Sequence, residues 1–332
     1  MAESENVEKI FVAPGNGGTA FADKCENVDI TDINELLDFA KENNIDLTIV
    51  RPEDPLTKGI VDLFKEDGLK IFGPDKAGAE IEGSKSYSKD FMKKYGVKTA
   101  EYEVFYDADK ALGYLENCAY PIVIKADGLA AGKGVAICET REEANTGGMG
   151  VLAPNPYVTE EVQKEFEENI MAKTLAGIQA EGYDFKGIIF FGLMITKKGT
   201  YLLEYNVRMG DPETQSVLYL MESDLLEVIE ADMNEDLAKL EIKWNKGTCV
   251  NVVLDSKGYP TAFTKGYEIT IKGEVKDKVF LSGAIAENGV LNTNGGRVLS
   301  VIGVGGTIEE AYKNIDGVEF EGMYFRNDIG VV

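Results

Sequence analysis

Short apolar runs alternate with amphipathic segments over the first 74 residues. A possible capping box at Asp32 and Glu35, followed by an apolar stripe, predicts one helix, and residues 57–67 predict a second. Three apolar runs predict buried strands at residues 9–13, 45–50 and 69–73. Strands that alternate with helices in this way predict a parallel α/β domain.

The pattern changes twice further along the chain. A helix is predicted from the N-cap Ser84, a long helix from Thr159 to about Gly182, and two strands around the turn at Gly199. Further strands are predicted at residues 102–106, 121–126 and 134–138. From Trp244 onward, short apolar runs and glycine turns predict a strand-rich lobe with strands at 249–254, 279–284 and 297–304 and a helix at 307–314. These shifts predict domains at 1–78, 79–240 and 241–332.

Charge and composition limit the classes of function that the protein could have. The chain has 332 residues, with 34 Lys and Arg against 58 Asp and Glu, a net charge of −24. Such a surface repels nucleic-acid backbones and anionic membranes. The four cysteines form no C-x-x-C pair, and no apolar run reaches the roughly 20 residues of a membrane-spanning helix. We therefore expect a cytoplasmic protein with free thiols.

Histidine is absent from the sequence. The commonest general base and most transition-metal sites are therefore excluded, which leaves carboxylates, lysines, arginines, backbone amides and hard cations such as Mg²⁺. Phosphoryl transfer suits this set of groups, since it depends mainly on positioning and electrostatics.

A glycine-rich loop lies between two predicted strands, in PIVIKADGLAAGKGVAIC at 121–138. A Walker A motif is excluded because the loop leads into a strand, and because Gly134 follows Lys133 where Ser or Thr is required. A glycine hairpin can still cover a triphosphate with its N–H groups, and Lys125 and Lys133 would add positive charge. An ordinary β-hairpin is the alternative.

The segment YLLEYNVRMGDPETQ, at 201–215, combines a predicted strand with a turn. Glu204, Asn206 and Arg208 alternate and so share one face of the strand. A carboxylate and an amide oxygen suit Mg²⁺, and an arginine beside them could neutralise a transferred phosphoryl group. Pro212 then begins a helix whose N-terminal amides could face an anion. A solvated strand face is the alternative.

Other glycine-rich phrases are less specific. NTGGMG at 145–150 could approach a ligand closely or serve as a connector, and Lys85 lies in the first turn of a helix. The spacing Gly15-x-Gly17-x-x-Ala20 imitates a dinucleotide fingerprint, but no helix is predicted before about residue 32, which argues against a Rossmann site.

Taken together, these segments resemble the glycinamide ribonucleotide synthetase family of ATP-grasp ligases. The matching phrases occur in family order: VAPGNGGTA (12–20), ENVDI (26–30), GIVDLF (59–64), IFGP (71–74), EGSKSYSKDFM (82–92), PIVIKADGLAAGKGV (121–135), NTGGMG (145–150), EYNVRMGDPETQ (204–215), TNGGRVL (293–299) and FRNDIG (325–330). The resemblance implies an N-terminal parallel α/β domain, a partial ATP-grasp core and a C-terminal strand-rich lobe.

The resemblance also implies a reaction, in which glycine is joined to 5-phosphoribosylamine through glycyl phosphate, with ATP converted to ADP and phosphate. It implies that the protein uses Mg²⁺ or Mn²⁺. We expect a monomer or homodimer. Arg208 would stabilise the phosphoryl group, and the metal would lie on Glu204 and Asn206. ATP would contact Lys85, Lys125, Gly128, Gly132, Lys133 and Gly134. The substrates would contact Asn16, Gly147, Gly148, Gly150, Asp211, Glu213 and Thr214.

Two departures from the family pattern bear on activity. The chain starts after the glycine-rich turn with which family members begin, and Ala144 joins directly to Asn145 where members insert a sizeable subdomain. That subdomain carries the strand that frames adenine. We therefore expect a truncated member with weak or no activity. A nucleotide-binding remnant and another ATP-grasp carboxylate–amine ligase are the alternatives.

Overall fold

The computed structural model describes residues 1–118, 122–129, 135–138, 148–304 and 308–331. The strands, in chain order, are β1 Ile10–Val12, β2 Cys25–Asn27, β3 Thr48–Ile49, β4 Ile71–Pro74, β5 Ile122–Lys125, β6 Val135–Cys138, β7 Gly150–Ala153, β8 Phe185–Lys186, β9 Phe190–Thr196, β10 Gly199–Asn206, β11 Cys249–Ser256, β12 Thr270–Ile271, β13 Val279–Leu281, β14 Ala284–Glu287, β15 Val290–Thr293, β16 Arg297–Val304, β17 Val318–Glu319 and β18 Met323–Tyr324.

The α-helices fall between these strands. They are α1 Ile33–Glu42, α2 Glu53–Lys58, α3 Ile60–Glu66, α4 Lys76–Gly83, α5 Lys85–Tyr95, α6 Ala108–Leu115, α7 Glu160–Phe166, α8 Ala172–Glu181, α9 Glu213–Leu220, α10 Leu225–Met233 and α11 Ile308–Ile315. A π-helical turn at Glu167–Met171 joins α7 to α8, so the long helix predicted from Thr159 to about Gly182 is confirmed.

Internal contacts divide the chain into two compact units. Unit 1 contains Met1–Asn44, Gly148–Asn155 and Gly210–Val332, and unit 2 contains Ile45–Gly147 and Pro156–Met209. The three-domain division at residues 78 and 240 stays a prediction.

The main sheet of unit 1 is built around β11, whose eight residues are all buried. β11 pairs with β16, β18 and β7, all antiparallel, and β13 extends the sheet beyond β16. One face packs against α11, where a Cβ on Gly303 would lie 2.2 Å from the Ala311 nitrogen, so helix and strand backbones are in close contact. The strand-rich lobe is confirmed, and β7 is an addition that the sequence pattern did not predict.

Smaller pairings complete unit 1. β1 pairs in parallel with β2, and two antiparallel pairs form between β12 and β17 and between β14 and β15. Helix α1 begins as predicted, because the Asp32 carboxylate accepts hydrogen bonds from the Asn34 and Glu35 N–H groups.

Unit 2 contains the parallel pair β3–β4, with β8 antiparallel beside β4, and the hairpins β5–β6 and β9–β10. The helix predicted at 57–67 is two helices, because Gly59 adopts the left-handed conformation (φ 89°) and ends α2 before α3 begins. Helix α5 has the predicted N-cap Ser84. Buried side chains of this unit include Leu56, Phe64, Ile71, Phe91, Met92, Leu202 and Tyr205.

In unit 2, the described residues in 98–118 and 122–129 remain accessible to solvent. None of the described residues in 98–118 and 122–129 is buried. Val123 and Ile124 are adjacent in β5, so they point to opposite faces of the hairpin, and both are exposed. The strand predicted at 102–106 is wrong, because Phe105 instead packs its ring on Tyr114 of α6, with centroids 5.2 Å apart. We call residues 98–118 and 122–129 the uncovered stretch.

Candidate active site

The end of β10 presents the three alternating residues that the sequence singled out. Tyr205 and Val207 are buried, whereas Glu204 is exposed and Asn206 is half-buried. The predicted sharing of one face by Glu204 and Asn206 is therefore confirmed by the burial pattern. Arg208 lies beyond the end of β10, where the chain bends at residues 207–208, so the alternation of the strand does not extend to it.

Arg208 is held by two acidic residues that sequence reasoning missed. Its Nε lies 3.2 Å from Oε2 of Glu53, and its Nη2 lies 3.0 Å from Oε1 of Glu82. The other Glu82 oxygen accepts the Val207 N–H at 2.6 Å. Burial raises the pKa of Glu82 to about 7, against the lowering effects of the Arg208 charge and the Val207 hydrogen bond. The sequence signal that could have identified Glu82 is its position at the start of EGSKSYSKDFM, one of the phrases that match the family.

The N-terminus of α5 binds a carboxylate from the glycine loop. Oδ1 of Asp127 accepts the N–H groups of Lys85 at 2.7 Å, Ser86 at 3.2 Å and Gly128 at 3.0 Å. Oδ2 accepts the Ser86 hydroxyl at 2.6 Å. Burial acts to raise the pKa of Asp127, but these hydrogen bonds outweigh it and hold the pKa at about 2. An acidic group is stabilised at a helix N-terminus in this way.

The two predicted ATP lysines connect the same segments. Nζ of Lys85 donates to the Gly128 carbonyl at 2.8 Å, and Nζ of Lys125 lies 3.1 Å from Oε2 of Glu204. Segments 82–86, 125–128 and 204–208 are thus joined pairwise by the contacts of Glu82, Asp127 and Lys125. We call this arrangement the three-segment ring.

Lys89 is a further basic residue in this part of unit 2. Its Nζ donates to the Thr99 hydroxyl at 2.5 Å. Burial first, and the Lys125 charge second, lower the pKa of Lys89 to about 8, although Glu204 acts in the opposite direction. No local pattern in the sequence singles out Lys89, because a helical lysine is ordinarily a solvated charge.

A divalent cation would be held by few protein atoms. Within the described ranges, no group of three or more His, Cys, Asp or Glu side chains could hold a metal ion. Glu204 and Asn206 nevertheless offer a carboxylate and an amide oxygen on one side of β10. This donor set fits Mg²⁺, which binds through one or two carboxylates and completes its shell with phosphate oxygens and water.

In unit 1, Asn16 shapes the N-terminal glycine turn. Its Oδ1 accepts the N–H groups of Gly18 at 2.7 Å and Thr19 at 3.0 Å, and its Nδ2 donates to the Leu281 carbonyl at 3.2 Å. Gly17 and Gly18 line a cavity of about 510 Å³, whose other walls include Phe21, Ile269, Ile271, Val279, Leu281 and Leu291. Asn16 therefore fixes the loop beside a largely apolar cavity.

Arg297 connects two of the predicted substrate segments. Its Nη2 lies 2.9 Å from Oδ2 of Asp211, and its Nη1 donates to the carbonyls of Asp211 at 3.0 Å and Gly148 at 3.2 Å. Glu213 and Thr214 follow in the first turn of α9. Arg297 was missed as a site residue, although it belongs to the matching phrase TNGGRVL.

Close packing explains why two predicted substrate-site positions of unit 1, residues 148 and 150, are glycines. A Cβ on Gly148 would lie 2.6 Å from Cδ of Pro212, and one on Gly150 would lie 2.7 Å from the Asn251 carbonyl oxygen. These positions require glycine for close backbone approach. The remaining predicted residues, Gly132, Lys133, Gly134 and Gly147, lie outside the described residues.

Family models match most of the chain. The model for the phosphoribosylglycinamide synthetase N domain matches residues 1–82, the model for its ATP-grasp (A) domain matches 83–145 and 142–214, and the model for its C domain matches 249–332. A phosphoribosylamine–glycine ligase of Clostridium acetobutylicum is 51% identical over 395 residues, covering 99% of this chain and 95% of the relative.

Solved structures give the same result. The crystal structure of phosphoribosylamine–glycine ligase from Thermotoga maritima has a TM-score of 0.80 and 30% identity, covering 97% of this chain and 94% of that one. The biotin carboxylase domain of Hydrogenobacter thermophilus 2-oxoglutarate carboxylase, crystallised with MgADP, ADP and bicarbonate, has a TM-score of 0.71 at 14% identity, covering 96% of this chain and 91% of that one; this likeness concerns the fold alone.

The match to the ATP-grasp (A) domain model and the likeness of the fold to solved structures place this chain in the ATP-grasp class, as the sequence predicted. Within that class, the chain belongs to the phosphoribosylglycinamide synthetase family, whose relatives are ATP-dependent carbon–nitrogen ligases named phosphoribosylamine–glycine ligase. No described helix is long and apolar enough to cross a membrane.

The comparisons also bear on the junction between Ala144 and Asn145. The two matches to the ATP-grasp domain meet at residues 142–145, where Ala144 joins Asn145. The alignment with the Clostridium relative is 63 positions longer than this chain, at 395 against 332. At least 63 residues of the relative therefore have no counterpart here.

Proposed function

We propose that this chain ligates glycine to 5-phosphoribosylamine, with ATP as the energy source, in purine biosynthesis. The glycine carboxylate takes the γ-phosphoryl group of ATP, which leaves ADP and glycyl phosphate. The amine of phosphoribosylamine then attacks the glycyl carbonyl carbon, so a C–N bond forms, a proton leaves the nitrogen and phosphate departs. Family membership supports this proposal, and the three-segment ring is the structural observation that carries it.

The ring supplies the groups that phosphoryl transfer needs. The charges of Lys85 and Lys125 lie beside the start of the glycine loop at Gly128, where ATP phosphates would bind. Gly132, Lys133 and Gly134 would contact the same phosphates, on the family resemblance. Arg208, fixed by its two acidic partners, would stabilise the charge of the transferred group.

Glu204 and Asn206 would hold Mg²⁺ or Mn²⁺. When bound, such a cation neutralises phosphate charge. Lys125 already pairs with Glu204 at 3.1 Å, so the protein keeps positive charge next to this carboxylate.

The described residues proposed for substrate binding lie in unit 1. Asp211, Glu213 and Thr214 lie at the start of α9, and Arg297 fixes Asp211. The Asn16 amide makes its hydrogen bonds within the protein, to Gly18 and Leu281. Asn16 would therefore affect substrate binding by fixing the shape of the N-terminal glycine turn. On the family resemblance, the substrate would also contact Gly147, Gly148 and Gly150. At Gly148 and Gly150 the space of a Cβ is filled by the protein itself, so these contacts would be made through the backbone. The protein would act as a monomer or homodimer.

A nucleotide-binding remnant is the second candidate function, and the uncovered stretch favours it. At least 63 residues of the relative have no counterpart in this chain, and none of the described residues of the uncovered stretch is buried. Such a remnant would bind ATP with Mg²⁺ but would not turn it over.

A single assay distinguishes the candidates. The purified chain is incubated with MgATP, glycine and freshly generated phosphoribosylamine, and ADP release is followed, with the Clostridium relative as the positive control. ADP formation that requires both co-substrates supports the ligase. Binding of MgATP without turnover, while the control is active, supports the remnant. Turnover with a different amine or acid from a substrate panel would indicate another ATP-grasp ligase.

A further inference from the structure

We infer that Glu82 is a positioning residue, which sets the metal-binding end of β10 and the Arg208 guanidinium relative to the N-terminus of α5. This inference rests on the proposed function, because it concerns the binding of ATP with a divalent cation. Glu82 was not among the residues that the sequence predicted for the site.

The Glu82 side chain is built for a fixed geometry. It is 7% exposed, its Oε2 accepts the Val207 N–H at 2.6 Å and its Oε1 lies 3.0 Å from Nη2 of Arg208. A buried carboxylate is costly unless its oxygens have partners. Both oxygens have partners here, so the contact is tight and directional.

The position of these contacts matters for the metal. The Val207 N–H belongs to the peptide unit that immediately follows Asn206, so Glu82 anchors the backbone on which the amide ligand is mounted. Residues that orient metal ligands in this way typically change metal affinity or activity by about 10- to 100-fold when they are removed.

Glu82 also lies close in sequence to the ATP-binding helix. It is two residues before the N-cap Ser84 and three before Lys85, at the end of α4. One side chain therefore couples the metal strand to the helix N-terminus that holds Asp127. The three-segment ring has three links, made by the contacts of Glu82, Asp127 and Lys125. Loss of the Glu82 contacts would therefore open the ring.

The same contact prepares Arg208 for an anion. A guanidinium has five N–H donors. Three of them point at Glu53, Glu82 and the Met209 carbonyl. No residue of the described ranges accepts from the remaining two, which could bind phosphate oxygens in an orientation that the acidic partners fix.

The test compares three glutamine variants of the full chain by ATP titration, each with Mg²⁺ and with EDTA. Glu82→Gln keeps an acceptor for Val207 but places an uncharged amide on Arg208. Glu53→Gln removes the other, more exposed partner of Arg208, and Glu66→Gln is an exposed control on α3. Far-UV circular dichroism checks folding.

We expect Glu82→Gln to weaken ATP affinity by about tenfold or more with Mg²⁺ and by less than twofold with EDTA. We expect Glu53→Gln to cost less than threefold in either condition and Glu66→Gln to have no effect. If Glu82→Gln does not fold, Glu82→Asp is used, which keeps the charge but shortens its reach, and the same loss confined to Mg²⁺ is expected.

Two outcomes overturn the inference alone: ATP affinity unchanged in the Glu82 variant, or weakened equally with Mg²⁺ and with EDTA, which would indicate a merely structural role. If the unmodified chain binds no ATP in either condition, the proposed function fails and the inference fails with it. The behaviour of the unmodified chain therefore tells the two failures apart.

Discussion

The hydrogen bonds of Asp127 predict a measurable cost for removing one charge. Asp127→Asn keeps the shape of the side chain, and its single amide oxygen can still accept from the backbone N–H groups of Lys85, Ser86 and Gly128. Its NH₂ group would face the Ser86 hydroxyl, which can turn to accept. The loss is therefore mainly the negative charge at the N-terminus of α5.

The magnitude follows from these contacts. A charge at a helix N-terminus contributes about 0.3–1 kcal/mol, and a charged acceptor strengthens its hydrogen bonds by about 1 kcal/mol. Because Asp127 is exposed, solvent screening reduces both, and we expect a destabilisation of about 1 kcal/mol. Amide hydrogen exchange at Lys85 and Ser86 should then be about fivefold faster in the variant.

The pH dependence gives an independent check. The folded pKa of Asp127 is about 2, below its ordinary value of 3.8, so the folded state binds fewer protons. The stabilisation is present above pH 4 and is lost as the pH falls from about 4 to 2. Urea unfolding followed by circular dichroism should show this acid-dependent loss in the unmodified chain and less of it in Asp127→Asn. Equal exchange rates, together with equal acid profiles, would refute the reasoning.

Three other changes are expected to have distinct effects. Gly150→Ala should destabilise the chain by about 1–3 kcal/mol in urea unfolding, since its Cβ would meet Asn251 backbone; Gly113→Ala, in open space on α6, is the matched control and should not. Burial raises the pKa of Asp255 from 3.8 to about 7, so stability should fall as pH rises from 4 to 7, and Asp255→Asn should flatten that slope; identical slopes would contradict this. Inserting the Clostridium segment between Ala144 and Asn145 should cover the uncovered stretch and strengthen ATP binding at least tenfold; unchanged affinity would contradict the weakened-site explanation.

Local signals in the sequence predicted elements well. The N-caps Asp32, Ser84 and Thr159 each accept the expected backbone hydrogen bond, because capping depends on neighbours within three residues. The hairpin around Gly199 and the alternation of Glu204 and Asn206 follow from the same short-range rules.

Long-range pairings could not be predicted in the same way. β7 is a four-residue strand whose partner β11 begins about a hundred residues later, so nothing in its own glycine-rich sequence indicates a strand. Likewise, Glu53 and Glu82 lie 155 and 125 positions from the residues they contact at the end of β10. Sequence reasoning found Arg208 but missed the acids that orient it, because an ion pair between distant segments leaves no local pattern.

The Ala144–Asn145 junction lies between segments of the candidate site. Segments 82–86 and 125–128 precede the Ala144–Asn145 junction and segment 204–208 follows it, yet the contacts of Glu82, Asp127 and Lys125 still join all three. These contacts need only the side chains on the three segments, so they do not depend on the missing residues. Several exposed apolar residues, among them Tyr106, Val123 and Ile124, lie in the uncovered stretch. The residues proposed for phosphate and metal binding therefore remain joined, and we expect the missing segment to affect the cover that would surround the rest of the nucleotide.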